Sequence, residues 1–113
     1  MAPNRTKLII LFIGNISTAI VHEILEKAIE NQEIADKYRK EIFTSFEKAK
    51  QYRAKINTVS TSLPEKDIEE IREKIVRKVN MELRLRISKG YEGIRLDLVE
   101  RIVDEFLKKT ALV

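Results

Sequence analysis

KLIILFIGNISTAIV, residues 7–21, decides how this chain folds, because no side chain between Leu8 and Val21 is charged. Such a run crosses a membrane, serves as a cleaved leader, or lies in a protein core. A spanning helix needs about 20 predominantly apolar residues. Here His22 and Glu23 close the run after fourteen, and Gly14, Asn15, Ser17 and Thr18 interrupt it. No membrane association is expected on that count. Arg5 and Lys7 before the run, with Ser17-Thr18-Ala19 as a small-x-small site, resemble a leader. The ladder Ile9, Ile13, Ile16, Ile20, Ile24 passes through that site at helical spacing, so cleavage would remove half of one helix. The run is therefore read as core.

Core residues can be helical or extended. Leu8 to Ile13 also fits a buried strand, and Met81 to Ser88, MELRLRIS, alternates as a partner strand would. Met, Glu, Leu and Arg are strong helix formers, and Gly14 costs a helix only about 1 kcal/mol relative to Ala. Both segments are read as helix. An α+β arrangement with short strands at 8–13 and 81–88 is the alternative.

Outward from this stretch, no Gly or Pro occurs between Ile16 and Asn57. One register of alternating three- and four-residue steps runs Val21, Ile24, Ala28, Asn31, Ala35, Tyr38, Ile42, Ser45, Ala49, Tyr52, Ile56, Val59, Leu63, which is a heptad seam. An unbroken helix over 16–57 would be about 63 Å long. A compact domain of this size has a radius of gyration of about 13 Å. Either the helix breaks near Asn31-Gln32-Glu33 into a hairpin, or a second copy covers it with Asn31 as the polar residue that sets register. The expected oligomer seam is Ala28, Asn31, Ala35, Tyr38, Ile42, Ala49, Tyr52 and Ile56.

Beyond the seam, TVSTSLP at 58–64 is a connection, since helices stop before proline. Ser62 is read as the next cap, with Pro64 in the first turn. Ile68, Ile71, Ile75, Val79 and Leu83 form the inner stripe of a third helix, and Met81 and Leu85 lie on its opposite face. Gly90 is placed as a left-handed helix stop. Leu98, Val99, Ile102, Val103, Phe106 and Leu107 give a last amphipathic helix. The expected fold is all-α, a three- or four-helix bundle over residues 1–113. Its segments are 6–30, 32–57, 64–88 and 94–109.

Composition narrows function more than it assigns it. The 113 residues include no cysteine, which excludes disulfides, thiolate metal sites and a cysteine nucleophile. Charged residues make up 35%, many of them Lys, Glu and Arg, a balance associated with hot environments. The net charge is +4. Residues 31–60 hold seven basic and four acidic groups, so most of the excess lies there.

Lys37, Lys40, Lys48 and Lys55 fall within a band about 80° wide and roughly 27 Å long, with Glu41 at its margin. Such a stripe can track a phosphate backbone. Arg84, Arg86 and Lys89 form a second small cluster. His22 and Glu26, four residues apart, share a helix face, but two ligands do not make a metal site. Nothing nearby suggests a nucleophile or an oxyanion donor, so no catalytic residue is assigned. Gly90-Tyr91-Glu92-Gly93 has the GxxG spacing of the KH backbone clamp, but Glu92 sits where phosphate would lie, and a helix stop explains both glycines. The chain is read as a cytoplasmic, non-enzymatic helical module without cofactor. It is expected to act through protein contacts and to form a homodimer; the alternative is a small basic nucleic-acid-binding protein that uses the lysine stripe on the second helical segment, with Arg84, Arg86 and Lys89.

Overall fold

The apolar opening stretch forms the middle of the first helix. The structure, a computed structural model, describes residues 5–56 and 63–110. It contains α1 (Arg5–Ala28), α2 (Gln32–Ile56), α3 (Glu65–Ser88) and α4 (Val99–Lys109), the last entered through a 3₁₀ turn at Leu96–Leu98. The fold is all-α, with no strand among the described residues. Residues 8–13 and 81–88, the alternative strands, lie inside α1 and α3.

The long-helix alternative gives way to the hairpin. Asn31 explains the break. Its Oδ1 accepts the backbone N–H groups of Glu33 at 2.9 Å and Ile34 at 3.3 Å, and its carbonyl accepts that of Ala35 at 3.0 Å. Those are the orphan donors of a helix start, and Asn is among the residues best suited to satisfy them. Asn31 is thus an exposed cap and does not serve as a seam residue.

The remaining seam residues pack within the chain. Ala35 and Ala49 are buried, and Tyr38, Ile42, Tyr52 and Ile56 lie against the core. Ala28 is half-buried at the end of α1. Small buried residues on both helices, Ala19 on α1 and Ala35 and Ala49 on α2, let the two helix axes approach closely. α1 and α2 run antiparallel, as the pairings of His22 with Glu41 and Glu26 with Arg39 require. The seam that appeared to call for a second copy is covered by α1 of the same chain.

α1 is buried on nearly every side. Phe12, Ile13, Ile16, Ser17, Ala19, Ile20, Val21, Ile24 and Leu25 are all buried. Three of them, residues 19–21, are consecutive and point 100° apart. A helix apolar all round belongs inside a protein or a membrane. By length and composition alone α1 could span a bilayer: an 18-residue window has a mean hydropathy of 2.0, so the fourteen-residue count understated it. In this fold 56% of that window is buried against the other helices. α3 runs in the same direction as α1, with Arg5 paired to Asp67 near one end. α4 crosses α1 and α3. Asp104 accepts two hydrogen bonds from Arg72, at 2.7 and 3.2 Å, and Phe106 meets Phe46 of α2 edge-on at 5.5 Å. The bundle measures 42 × 25 × 23 Å, its long axis close to the roughly 38 Å of a 25-residue helix.

Two helix ends and one glycine set further limits. Pro64 precedes α3 as its N-cap, one position outside the expected place, and its carbonyl accepts Ile68 N–H at 3.1 Å. The cap expected at Ser62 lies outside the described residues, as does Val59. The C-terminus of α3 ends as expected at Gly90, whose φ is +100°. Tyr91 N–H donates to the Arg86 carbonyl and Gly90 N–H to that of Ile87, which is the Schellman arrangement. Gly14, by contrast, is helical and has open space where a Cβ would be. Alanine substitutions at these glycines should therefore have opposite signs in urea denaturation. Gly90→Ala should lower stability by about 1–2 kcal/mol, and Gly14→Ala should raise it by up to about 1 kcal/mol.

Candidate functional site

Lys37, Lys40, Lys48 and Lys55 are all exposed along one edge of α2. None has a carboxylate within ion-pair distance among the described residues; Lys55 instead sits 5.8 Å over the Tyr52 ring. The other flank of α2 is neutralised. Arg39 pairs with Glu26, at 3.1 Å, and with Asp36, and Lys50 pairs with Glu47 at 2.9 Å. The 200° between residues two apart on a helix separates the second cluster. Arg84 is exposed away from the inner side of α3, whereas Arg86 is half-buried and holds Glu82 at 3.2 Å. Lys89 is exposed at the end of α3.

The edge of α2 and the Arg86 side of α3 meet across α1 at His22. Two cavities are lined by that ring. One, about 240 Å³, adds Lys40, Glu41, Thr44 and Ser45 of α2; the other, about 170 Å³, adds Ser17, Thr18, Val21 and, from α3, Lys78, Glu82 and Arg86. Lys40 lines the first cavity and Lys78 and Arg86 the second, with His22 common to both. Polar groups of the α1 surface bond back to their own helix: Asn15 Nδ2 donates to the Leu11 carbonyl at 2.8 Å and Thr18 to that of Gly14 at 2.9 Å. Ser17, 1% exposed, has no hydrogen-bond partner for its hydroxyl among the described residues.

His22 does not pair with Glu26, which Arg39 occupies. Its Nδ1 approaches Glu41 Oε2 at 3.3 Å without hydrogen-bond alignment, and its ring lies 5.3 Å from that of Tyr38. Burial lowers the His22 pKa below its usual 6.5; Arg86 lowers it further, while Glu41 opposes both. The imidazole is thus mostly neutral at pH 7. No group of three or more metal-ligating side chains of the His, Cys, Asp or Glu type comes together among the described residues. Around His22 stand Lys40, Lys78 and Arg86 with two carboxylates, of which Glu82 is held by Arg86 and Glu41 faces the mostly neutral imidazole.

Comparison with protein-family models, curated proteins and solved structures finds no match. The site's meaning therefore rests on its own residues. Sequence reading missed Lys78. It forms an i, i+4, i+8 row with Glu82 and Arg86, a pattern that marks one helix edge. Which edge faces the α2 lysines depends on how the helices pack around α1.

A pH series tests the environment of the single histidine. Because the folded state holds His22 below its usual pKa, the unfolded chain binds more protons as pH falls below 6.5. The contribution is fully present above pH 6.5 and is lost as pH drops toward the folded value. Glu23 acts in the opposite sense. Burial raises its pKa from 4.5, so its contribution is present below that pH and is lost as pH rises through the folded value. In thermal melts between about pH 7 and about pH 5.5, His22→Gln should show a shallower loss of Tm on acidification than the natural chain. Equal slopes would mean that the imidazole is not desolvated by folding.

Proposed function

We propose that this chain is a small non-enzymatic protein that binds the phosphate backbone of a nucleic acid along the lysine edge of α2. The observation that carries the reading is the state of that edge. Lys37, Lys40, Lys48 and Lys55 are exposed together and lack carboxylate partners among the described residues, while the arginine and lysine on the opposite flank of the same helix are paired. Ammonium groups in that state attract phosphate without first breaking an ion pair, and each contact releases condensed counterions. Lys78, on the other side of His22, extends the positive surface toward α3, where Arg86 is already paired with Glu82.

One feature favours this over protein contact through the heptad seam. The seam packs inside the chain, so it no longer supplies a reason of its own for a partner. No aromatic ring lies among the four lysines to stack bases; the nearest, Tyr52, is half-buried beneath Lys55. The expected mode is backbone tracking with little sequence preference, since phosphate contacts position a protein and base contacts specify it.

Fluorescence anisotropy with a labelled 20-base-pair duplex, across a salt series, tests the reading. Binding should weaken steeply as salt rises. Changing the four stripe lysines to Gln should weaken it and flatten the log–log salt slope by as much as about 3 to 4. A control that removes as much charge elsewhere, Lys27, Lys66, Arg77 and Lys108 to Gln, should alter the slope much less. No binding at low salt, or equal losses in the two variants, would overturn the proposal.

A further inference from the structure

α1 is wrapped by the rest of the chain almost everywhere, yet Ile10 is 64% exposed. It opens onto a groove of about 370 Å³ between α1 and α3, whose apolar lining is completed by Ile9, Ile13 and Ile71. A single exposed apolar residue is ordinary, but here Ile10 stands at the rim of an apolar groove whose charged wall is ordered. The α3 wall of the groove is polar, and its charges are ordered. Asp67 and Glu70 come first, then Lys74 and Lys78. Asp67 also holds Arg5 at 2.9 Å, whereas Glu70 and Lys74 have no ion-pair partner among the described residues. The row continues past Lys78 at three- and four-residue steps to Met81 and Leu85, which are 62% and 49% exposed.

We propose that this face binds a second copy of the same chain, through a two-fold axis passing near Ile10. A two-fold axis across α3 reverses its direction, so the acidic end of one copy lies against the basic end of the other. Glu70 then faces Lys74 of the second copy, and the reverse, as an isologous contact demands. The two Ile10 side chains enter each other's grooves and leave water. This order of charges makes the face complementary to itself. With the axis between Glu70 and Lys74, residues 65–79 of the two α3 helices overlap over about 22 Å. With α1 alongside at about 8–10 Å, the face is two helices wide, which places the contact toward the small end of specific interfaces. The contact uses neither the α2 seam nor Lys37, Lys40, Lys48 and Lys55; Lys78 alone borders both surfaces.

Sedimentation equilibrium of the full chain tests this directly. The natural protein should weigh twice 13.2 kDa at micromolar concentration. Ile10→Lys, at an exposed position, should give a monomer with unchanged helical circular dichroism. Glu70→Lys alone should weaken the dimer at least tenfold, and Glu70→Lys combined with Lys74→Glu should recover most of that loss, because the swap restores both cross-contacts. The recovery separates a specific interface from general stickiness or a damaged fold. A natural chain that stays monomeric at about 100 μM, a dimer indifferent to Ile10→Lys, or a double swap no better than the single change would each overturn the proposal. None of these outcomes bears on the lysine edge, since Lys37, Lys40, Lys48 and Lys55 are untouched throughout.

Discussion

The contact between α1 and α2 is the constraint on which the remaining structure depends. Ala19, Ala35 and Ala49 are all buried, and their small side chains let the two backbones approach before α3 or α4 is considered. One antiparallel hairpin cannot cover a helix that is apolar on nearly all sides. α3 and α4 are therefore required, each burying one stripe: Ile71, Ile75, Val79 and Leu83 from α3, and Val99, Ile102, Val103, Phe106 and Leu107 from α4. A fully buried side chain of this kind contributes about 1.5–3 kcal/mol. The opposing chain entropy is of similar total size, so losing one of the outer helices would leave α1 unprotected.

Much of this was legible in the residues, and the misreadings have definite causes. Helix type, the stop at Gly90 and the inner stripes of α3 and α4 follow from propensity and periodicity, which are local. The heptad register was real, but its continuity was misleading. It runs through Asn31 because the short link between α1 and α2 happens to preserve the step, although the chain reverses there. Asn suits both a polar seam position and a helix cap, and only the hydrogen bonds from Glu33 and Ile34 distinguish the two. The fourteen uncharged residues likewise could not tell a central helix from a spanning one, since both environments exclude water.

The charged surface was legible one helix at a time. The lysine edge of α2 follows from its spacing alone. Grouping Arg84 with Arg86 followed the order of the chain, and the helix places them on different sides. Lys78 became relevant only because α3 packs beside α1 with that edge toward α2. Positions on one element can be read by counting; relations between elements depend on the packing of a core that no single segment contains. His22 illustrates the difference. Its nearest carboxylate in sequence serves Arg39, and the carboxylate it meets belongs to the neighbouring helix.

The central position of α1 also bears on how the molecule is made. Synthesis delivers this helix before its cover, since all three helices that shield it follow it in the chain. Its hairpin partner follows at once and forms contacts of short sequence separation, which favours rapid early association. The opposite side stays bare until Leu107 has emerged, some ninety residues after Ile16. At translation rates of about 5–20 residues per second, that interval lasts several seconds. A nascent chain of this design therefore passes through a half-dressed stage in which its greasiest surface is open to chaperones, to lipid and to its own siblings on the same message.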